Sequence, residues 1–240
     1  DILVSYNDAS SDKKYTLIRN TTIPYLLKNI TNEFGGLMKI YYSKSTESNN
    51  TGNDSISDIG FNVWVVESVL QDNSMPADFN VLSNTSYNYY GALYDYSDAE
   101  FRGFSLVNET MPDNTTISHY FHQNKQLKGK EFKTETYDKN VNLFSRTENN
   151  FNFTTSSYGY FTVNLGSAVS YLFDGSSTAR ITNVSYRYDN FSNVIFKKNH
   201  GNVNVSGDEK YERYEYAYNS SAWILDKVSW YLLFGADNST

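Results

Sequence analysis

Apolar and polar positions alternate one by one along much of this chain, the two-residue period of strands with one wet face. Within 210–219, Tyr214, Tyr216 and Tyr218 share a face, while Arg213 and Glu215 fall on the other. Within 180–189, Val184, Tyr186 and Tyr188 oppose Asn183, Ser185 and Arg187. Within 132–137, Lys133 and Glu135 oppose Thr134 and Thr136. The segment 61–70 differs: Val63, Trp64, Val65 and Val66 are apolar on both faces, which predicts a strand covered on both sides. No segment carries a convincing 3.6-residue period.

Turn signals divide these runs. Glu33-Phe34-Gly35-Gly36 separates 26–32 from 37–43 and predicts a hairpin. Further turns are expected at 138–140, 174–177 and 189–193, where Asn and Asp bond their own backbone. Residues 44–58 and 71–78 read as loops. An aromatic followed by Asp and a turn recurs at Tyr94-Asp95, Tyr137-Asp138, Phe173-Asp174 and Tyr188-Asp189. The expected fold is all-β: one module over 1–240, a large twisted antiparallel sheet of consecutive hairpins with little or no helix.

Composition sharpens this picture. Aromatics make up 17% of the 240 residues, with 22 Tyr, which suits pleated sheet and argues against disorder. The net charge is −7 and spread out; without a basic stripe, nucleic acid is not an expected partner. The absence of cysteine excludes thiol chemistry and zinc–thiolate or iron–sulfur sites. No apolar run approaches the roughly 20 residues of a membrane span. The stretch from Asp1 to Tyr6 reads as a strand rather than a leader, so a secreted chain would carry Asp1 as a processed or truncated end.

Asn-x-Ser/Thr triplets stand at Asn20, Asn29, Asn49, Asn53, Asn84, Asn108, Asn114, Asn152, Asn183, Asn190, Asn204, Asn219 and Asn238. None has Pro in the middle, and their number is about twice what random placement of these residues gives. They predict covalent N-glycans and hence an extracellular or cell-surface location.

Candidates for chemistry are weak. His119 and His122, three apart, point to opposite faces of a strand and cannot share a metal; His200 before Gly201 reads as a turn residue. No G-x-S-x-G elbow is present. Asp95, Asp98 and Glu100 form the densest acidic cluster beside aromatics, and a solvated loop explains them better than paired carboxylate catalysis. Asn53-Asp54 with Asp58, and Ser206-Gly207-Asp208-Glu209, match no calcium-loop spacing. The expectation is no enzyme, no cofactor and no metal. Exposed tyrosines such as Tyr94 and Tyr96 leave a carbohydrate-binding alternative open.

Several ordered landmarks resemble the Rhs/YD-repeat family, most closely the segment before the repeat array in the B component of insecticidal toxin complexes. They are Leu26-Leu27 through Gly35-Gly36 with Ile40-Tyr41-Tyr42, then 62–69, then Glu100-Phe101-Arg102-Gly103-Phe104. His119-Tyr120-Phe121-His122 with Leu127-Lys128-Gly129-Lys130 follows, and Tyr188-Asp189 within 186–194 is similar to a YD repeat. The residues 205–209 and 221–224 match later landmarks. The resemblance implies a strip of a hollow β-shell without catalysis of its own, either part of a longer Rhs-like chain or a strip that assembles with copies of itself. A toxin component enclosing a cargo is the alternative. Three departures matter: the chain is too short to close a shell, Ser192 stands where YD repeats usually carry Gly, and no protease or cargo region is present.

Overall fold

The computed structural model describes residues 2–7, 13–18, 25–51 and 57–235. Two strands, β1 (Ile2–Asn7) and β2 (Lys13–Ile18), form an antiparallel pair of their own. The following strands are β3 (Asn29–Thr31), β4 (Leu37–Lys44), β5 (Trp64–Asp72), β6 (Leu82–Asp95), β7 (Glu100–Thr110), β8 (Thr116–Phe121) and β9 (Glu131–Tyr137). After them come β10 (Leu143–Thr155), β11 (Phe161–Leu172), β12 (Arg180–Tyr188), β13 (Val194–Asn202), β14 (Lys210–Asn219) and β15 (Ile224–Gly235). From β3 to β15 every strand pairs antiparallel with its neighbours in sequence, giving one 13-stranded sheet in chain order.

The expected all-β meander is therefore what the chain builds. The only helical pieces among the described residues are 3-10 turns at Ser45–Glu47 and Ala77–Phe79. They lie in the two expected loops, whose bounds shift slightly: Lys44 ends β4, and Gln71 and Asp72 end β5. The alternation assigns faces correctly, because register pairs place Lys133 with Glu148 and Glu135 with Arg146 on one face, and Thr134 with Thr147 on the other.

Alternation says less about cover. The double-sided apolar stretch predicts burial on both faces of β5, but only Val65 is buried; Trp64 stays 37% exposed. His200, expected in a turn, lies in β13. Gly201 beyond it has φ of +61°, and the register with β12 shifts there.

This sheet has little core of its own. Among the described residues the buried apolar ones are Ile59, Val65, Ala92 and Leu127, all near one end of the β6–β7 hairpin. The chain exposes 16379 Å², where a compact protein of this mass would expose about 11,000 Å². Among the described residues no second layer covers the 13-stranded sheet, and that open surface accounts for much of the difference.

Five hairpins turn in the same way. At Asn32–Gly36, Met111–Thr115, Asp138–Asn142, Ser156–Tyr160 and Asp189–Asn193, the first residue's N–H bonds the carbonyl four residues on. Its carbonyl in turn accepts from the fourth residue. That fourth residue is left-handed each time: Gly35, Asn114, Val141, Gly159 and Ser192 have φ between 65° and 87°. This is a three-residue loop with a type I turn and a bulge, a geometry that keeps the sheet's twist.

Candidate functional site

The E-F-R-G-F landmark lies at the tip of the β6–β7 hairpin. Arg102 is 3% exposed. Its Nη2 donates to Asp95 Oδ2 at 3.1 Å and to Asp98, and its Nη1 lies 3.2 Å from Glu100 Oε2. The acidic cluster therefore surrounds a buried cation, which corrects the solvated-loop reading. Asp95 Oδ1 also accepts from the Ser97 hydroxyl and from the Ser97 and Asp98 amides. Those bonds, the Ser97 hydroxyl foremost and Arg102 after them, hold the Asp95 carboxyl down at about 2.

Two loops clamp this tip. From one side, Asn50 Nδ2 donates to Ser45 O at 2.5 Å, while its Oδ1 accepts from the Ala92 amide at 3.1 Å. The Gly91 amide bonds Asn49 O, and the Tyr94 amide bonds Asp58 O. From the other side, Gln123 Nε2 donates to Gly91 O at 2.7 Å and Gly103 O at 2.9 Å. Lys125 pairs with Asp98 at 2.7 Å, and Lys128 with Glu100. Gly91 is required here: a Cβ would lie 2.2 Å from Ser105 Oγ, and its φ is +62°. Phe61, Phe101, Phe104, Tyr94 and Tyr96 pack edge to face around the same tip.

The Tyr-Asp recurrence has a physical basis. Asp138 and Asp189 each open one of the repeated turns, Oδ1 accepting from the amides two and four residues on and Oδ2 from an Asn side chain. Asn32 and Ser156 do the same work with an amide oxygen and a hydroxyl. The tyrosines tie strands together. Tyr89, Tyr188 and Tyr216 donate to the carbonyls of Val66, Leu165 and Val194, each across to the preceding strand or its approach. Tyr218 also donates to Asp189 at 2.6 Å.

Alternation alone does not reveal a second buried charge. Glu135 is 4% exposed. Its oxygens accept from Tyr120 and Tyr137 at 3.0 Å and from Arg146 Nε at 2.8 Å, and Lys133 lies 3.3 Å away. Burial alone would raise the Glu135 carboxyl, but the two phenols and Lys133 outweigh it and hold it low. Burial and Glu135 together push the Tyr120 phenol up to about 12.

The histidines do not converge. His119 stands between Glu131, 2.6 Å from Nδ1, and Glu109, 3.5 Å from Nε2. His122 packs on Phe132. His200 Nε2 lies 3.0 Å from Ser185 Oγ. Among the described residues no carboxylate hydrogen-bonds the other His200 nitrogen, and the pair bridges β12 and β13. No group of three or more potential metal ligands is gathered among the described residues. Asp208 and Glu209 instead bond the amides of Asn202 and Gly207.

Of the triplet asparagines, Asn20, Asn53 and Asn238 lie outside the described residues. Asn29, Asn84, Asn108, Asn152, Asn183 and Asn219 lie in strands; Asn49, Asn114, Asn190 and Asn204 lie in connections. All the described ones are exposed except Asn108 and Asn183, which are half-buried.

Every arrangement here fastens strand to strand, the construction of a structural β-strip. Comparison with known proteins agrees. The family described as "Insecticide toxin TcdB middle/N-terminal region" matches residues 7–135, more than half of the chain, and the chain belongs to that family. No curated protein sequence matches. The fold is shared with a chain in the crystal structure of TcdB2-TccC3-Cdc42, with a TM-score of 0.68, 13% identity and 90% of this chain covered. It is shared too with a chain of the Photorhabdus luminescens Tc holotoxin pore, with a TM-score of 0.69, 12% identity and 99% covered. The present chain spans 15–16% of the length of those chains.

Proposed function

We propose that this chain is a length of wall in a Rhs-like shell, located outside the cell or at its surface, carrying N-glycans and performing no catalysis. The observation that carries this reading is the state of β15. It is a 12-residue edge strand with Val228, Trp230, Tyr231, Leu232 and Leu233 all exposed. A long apolar edge with unpaired backbone groups is a liability unless another strand covers it. A wall that continues past β15 removes both the open edge and the exposed apolar surface.

A second reading concerns what such a wall encloses. The similar structures are named as toxin complexes, one with Cdc42 in its name and another as a holotoxin pore. That supports a cargo-enclosing toxin component, with the rest of a longer chain as the partner of this strip. The test is the mass of the native polypeptide after removal of glycans. A mass several times 27.5 kDa is expected. A native polypeptide of 27.5 kDa that stays monomeric would refute the wall.

A further inference from the structure

Six of the triplets lie within strands, so register fixes the face on which each asparagine stands. Asn29 pairs with Lys39, Lys39 with Leu70, and Leu70 with Asn84. Two residues on, Ser86 pairs with Thr110, which shares the face of Asn108. Asn108 pairs with Ser118, Ser118 with Glu135, and Glu135 with Arg146. Asn152 is six residues along β10 from Arg146; the bulge between Asn150 and Phe151 adds its extra residue to β11, leaving β10 in phase. Arg146 pairs with Tyr171, and Val169 on the same face pairs with Asn183. Arg187, Phe196 and Arg213 carry the face on to Asn219.

All six asparagines therefore share one face. If each could fall on either face, agreement of all six would occur about once in 32 trials, because strand positions have only two orientations. Asparagine itself favours this face, where Asn88 pairs with Asn108 and Asn164 with Asn152, but it is not absent from the other. Asn149 pairs with Ala168 and Asn199 with Val184, which places both on the opposite face; neither is followed by Ser or Thr two residues on. That opposite face also carries Thr134 with Thr136 and Ser145 with Thr147, pairs that a single change to Asn would turn into acceptor triplets.

The two faces differ in chemistry as well. The triplet face carries the ion-paired Lys133, Glu135, Arg146 and Glu148. The other face carries the strand-tying Tyr89, Tyr188 and Tyr216.

From this we infer that N-glycans are confined to one face of the sheet, which is the solvent face of the assembled wall, while the tyrosine face is kept free of sugar for packing. This rests on the glycoprotein reading proposed above. The test is secretion of the full-length protein from yeast, followed by glycopeptide mapping. In the unaltered protein, sugar is expected at the exposed Asn84 and Asn152. Asp72→Asn completes a triplet with Ser74 on the same face, since Asp72 is two residues from Leu70. It is expected to gain one glycan and to be secreted at the unaltered level. Thr134→Asn and Ser145→Asn place acceptors on the tyrosine face. Their glycosylated forms are expected to be retained in the cell, with secretion reduced at least tenfold. Adding Thr136→Ala to Thr134→Asn, or Thr147→Ala to Ser145→Asn, removes the acceptor and is expected to restore secretion. Secretion of glycosylated Thr134→Asn protein at the level of Asp72→Asn would overturn the one-face rule. Failure of the acceptor-less double variants to be secreted would overturn it too, because the loss would then come from asparagine itself. Absence of sugar from every site in the unaltered protein is a separate result that removes the glycoprotein reading.

Discussion

Val141 offers a direct measure of how far the repeated hairpin turn governs stability. It occupies the left-handed position of the Asp138–Asn142 turn with φ of 65°, and its side chain is 77% exposed. For an L-residue that conformation costs about 1–2 kcal/mol, and a β-branched side chain belongs at the upper end. Val141→Gly relieves this strain and gives up little buried surface. The added freedom of glycine in the unfolded chain takes back about 0.5–1 kcal/mol. The net expectation is a gain of about 1 kcal/mol, or a rise in Tm of about 2–4 °C for a chain of this size. The reciprocal change is Gly159→Val at the equivalent position, φ of 84°, where an added Cβ meets nothing within 4 Å. Its loss should be of similar size and purely conformational. Thermal unfolding followed by circular dichroism reads both. If Val141→Gly leaves Tm unchanged or lowered while Gly159→Val is silent, turn strain does not limit stability and the reasoning fails.

Two further outcomes follow from the buried charges. Arg102→Met leaves Asp95, Asp98 and Glu100 together without the cation between them. Breaking a buried ion pair costs about 3–5 kcal/mol; the partly solvated carboxylates and the remaining Lys125 and Lys128 pairs put this case at the low end, read as a lowered urea midpoint. Tyr120, held up to about 12 by burial and Glu135, and Tyr214, held up to about 12 by Glu212 and burial, should ionise late in an alkaline absorbance titration. A phenol whose folded pKa is raised stabilises fully below the ordinary tyrosine value of about 10. That contribution is lost as pH climbs from there toward 12. Glu135→Gln should move the Tyr120 transition down; an unmoved transition would contradict the assigned cause.

Much of this architecture is legible in the sequence, for a physical reason. Each strand needs only its own alternation and the turn beside it, so local signals at 132–137, 180–189 and 210–219 suffice to place strands and faces. The Tyr-Asp recurrence is legible as well, and it marks real turns at Asp138 and Asp189. What escapes is whatever depends on two distant segments. Glu135 reads as a wet-face residue, since nothing local reveals that Tyr120 and Arg146 will cover it. Arg102 reads as part of a motif without a role, because Asp95 and Asp98 gain meaning only when the hairpin folds back. Asn32 and Ser156 perform the same turn chemistry as the aspartates in different sequence, so a search for Tyr-Asp passes over them. His200 reads as a turn residue from its glycine neighbour, yet Gly201 serves an irregularity within a strand pair rather than a chain reversal.

The strict correspondence between chain order and sheet order has a mechanical corollary. Each strand pairs only with its immediate neighbours, so a hairpin added or lost in mid-sheet shifts the rest of the ribbon bodily without breaking other strand pairings. The ribbon can set, turn by turn, behind the advancing end of a nascent chain, with short loops to close at each step. Tension applied across its ends would peel it in a ratchet of small releases rather than one rupture. A wall built this way can change length over evolutionary time by whole hairpins while its local stitching stays the same.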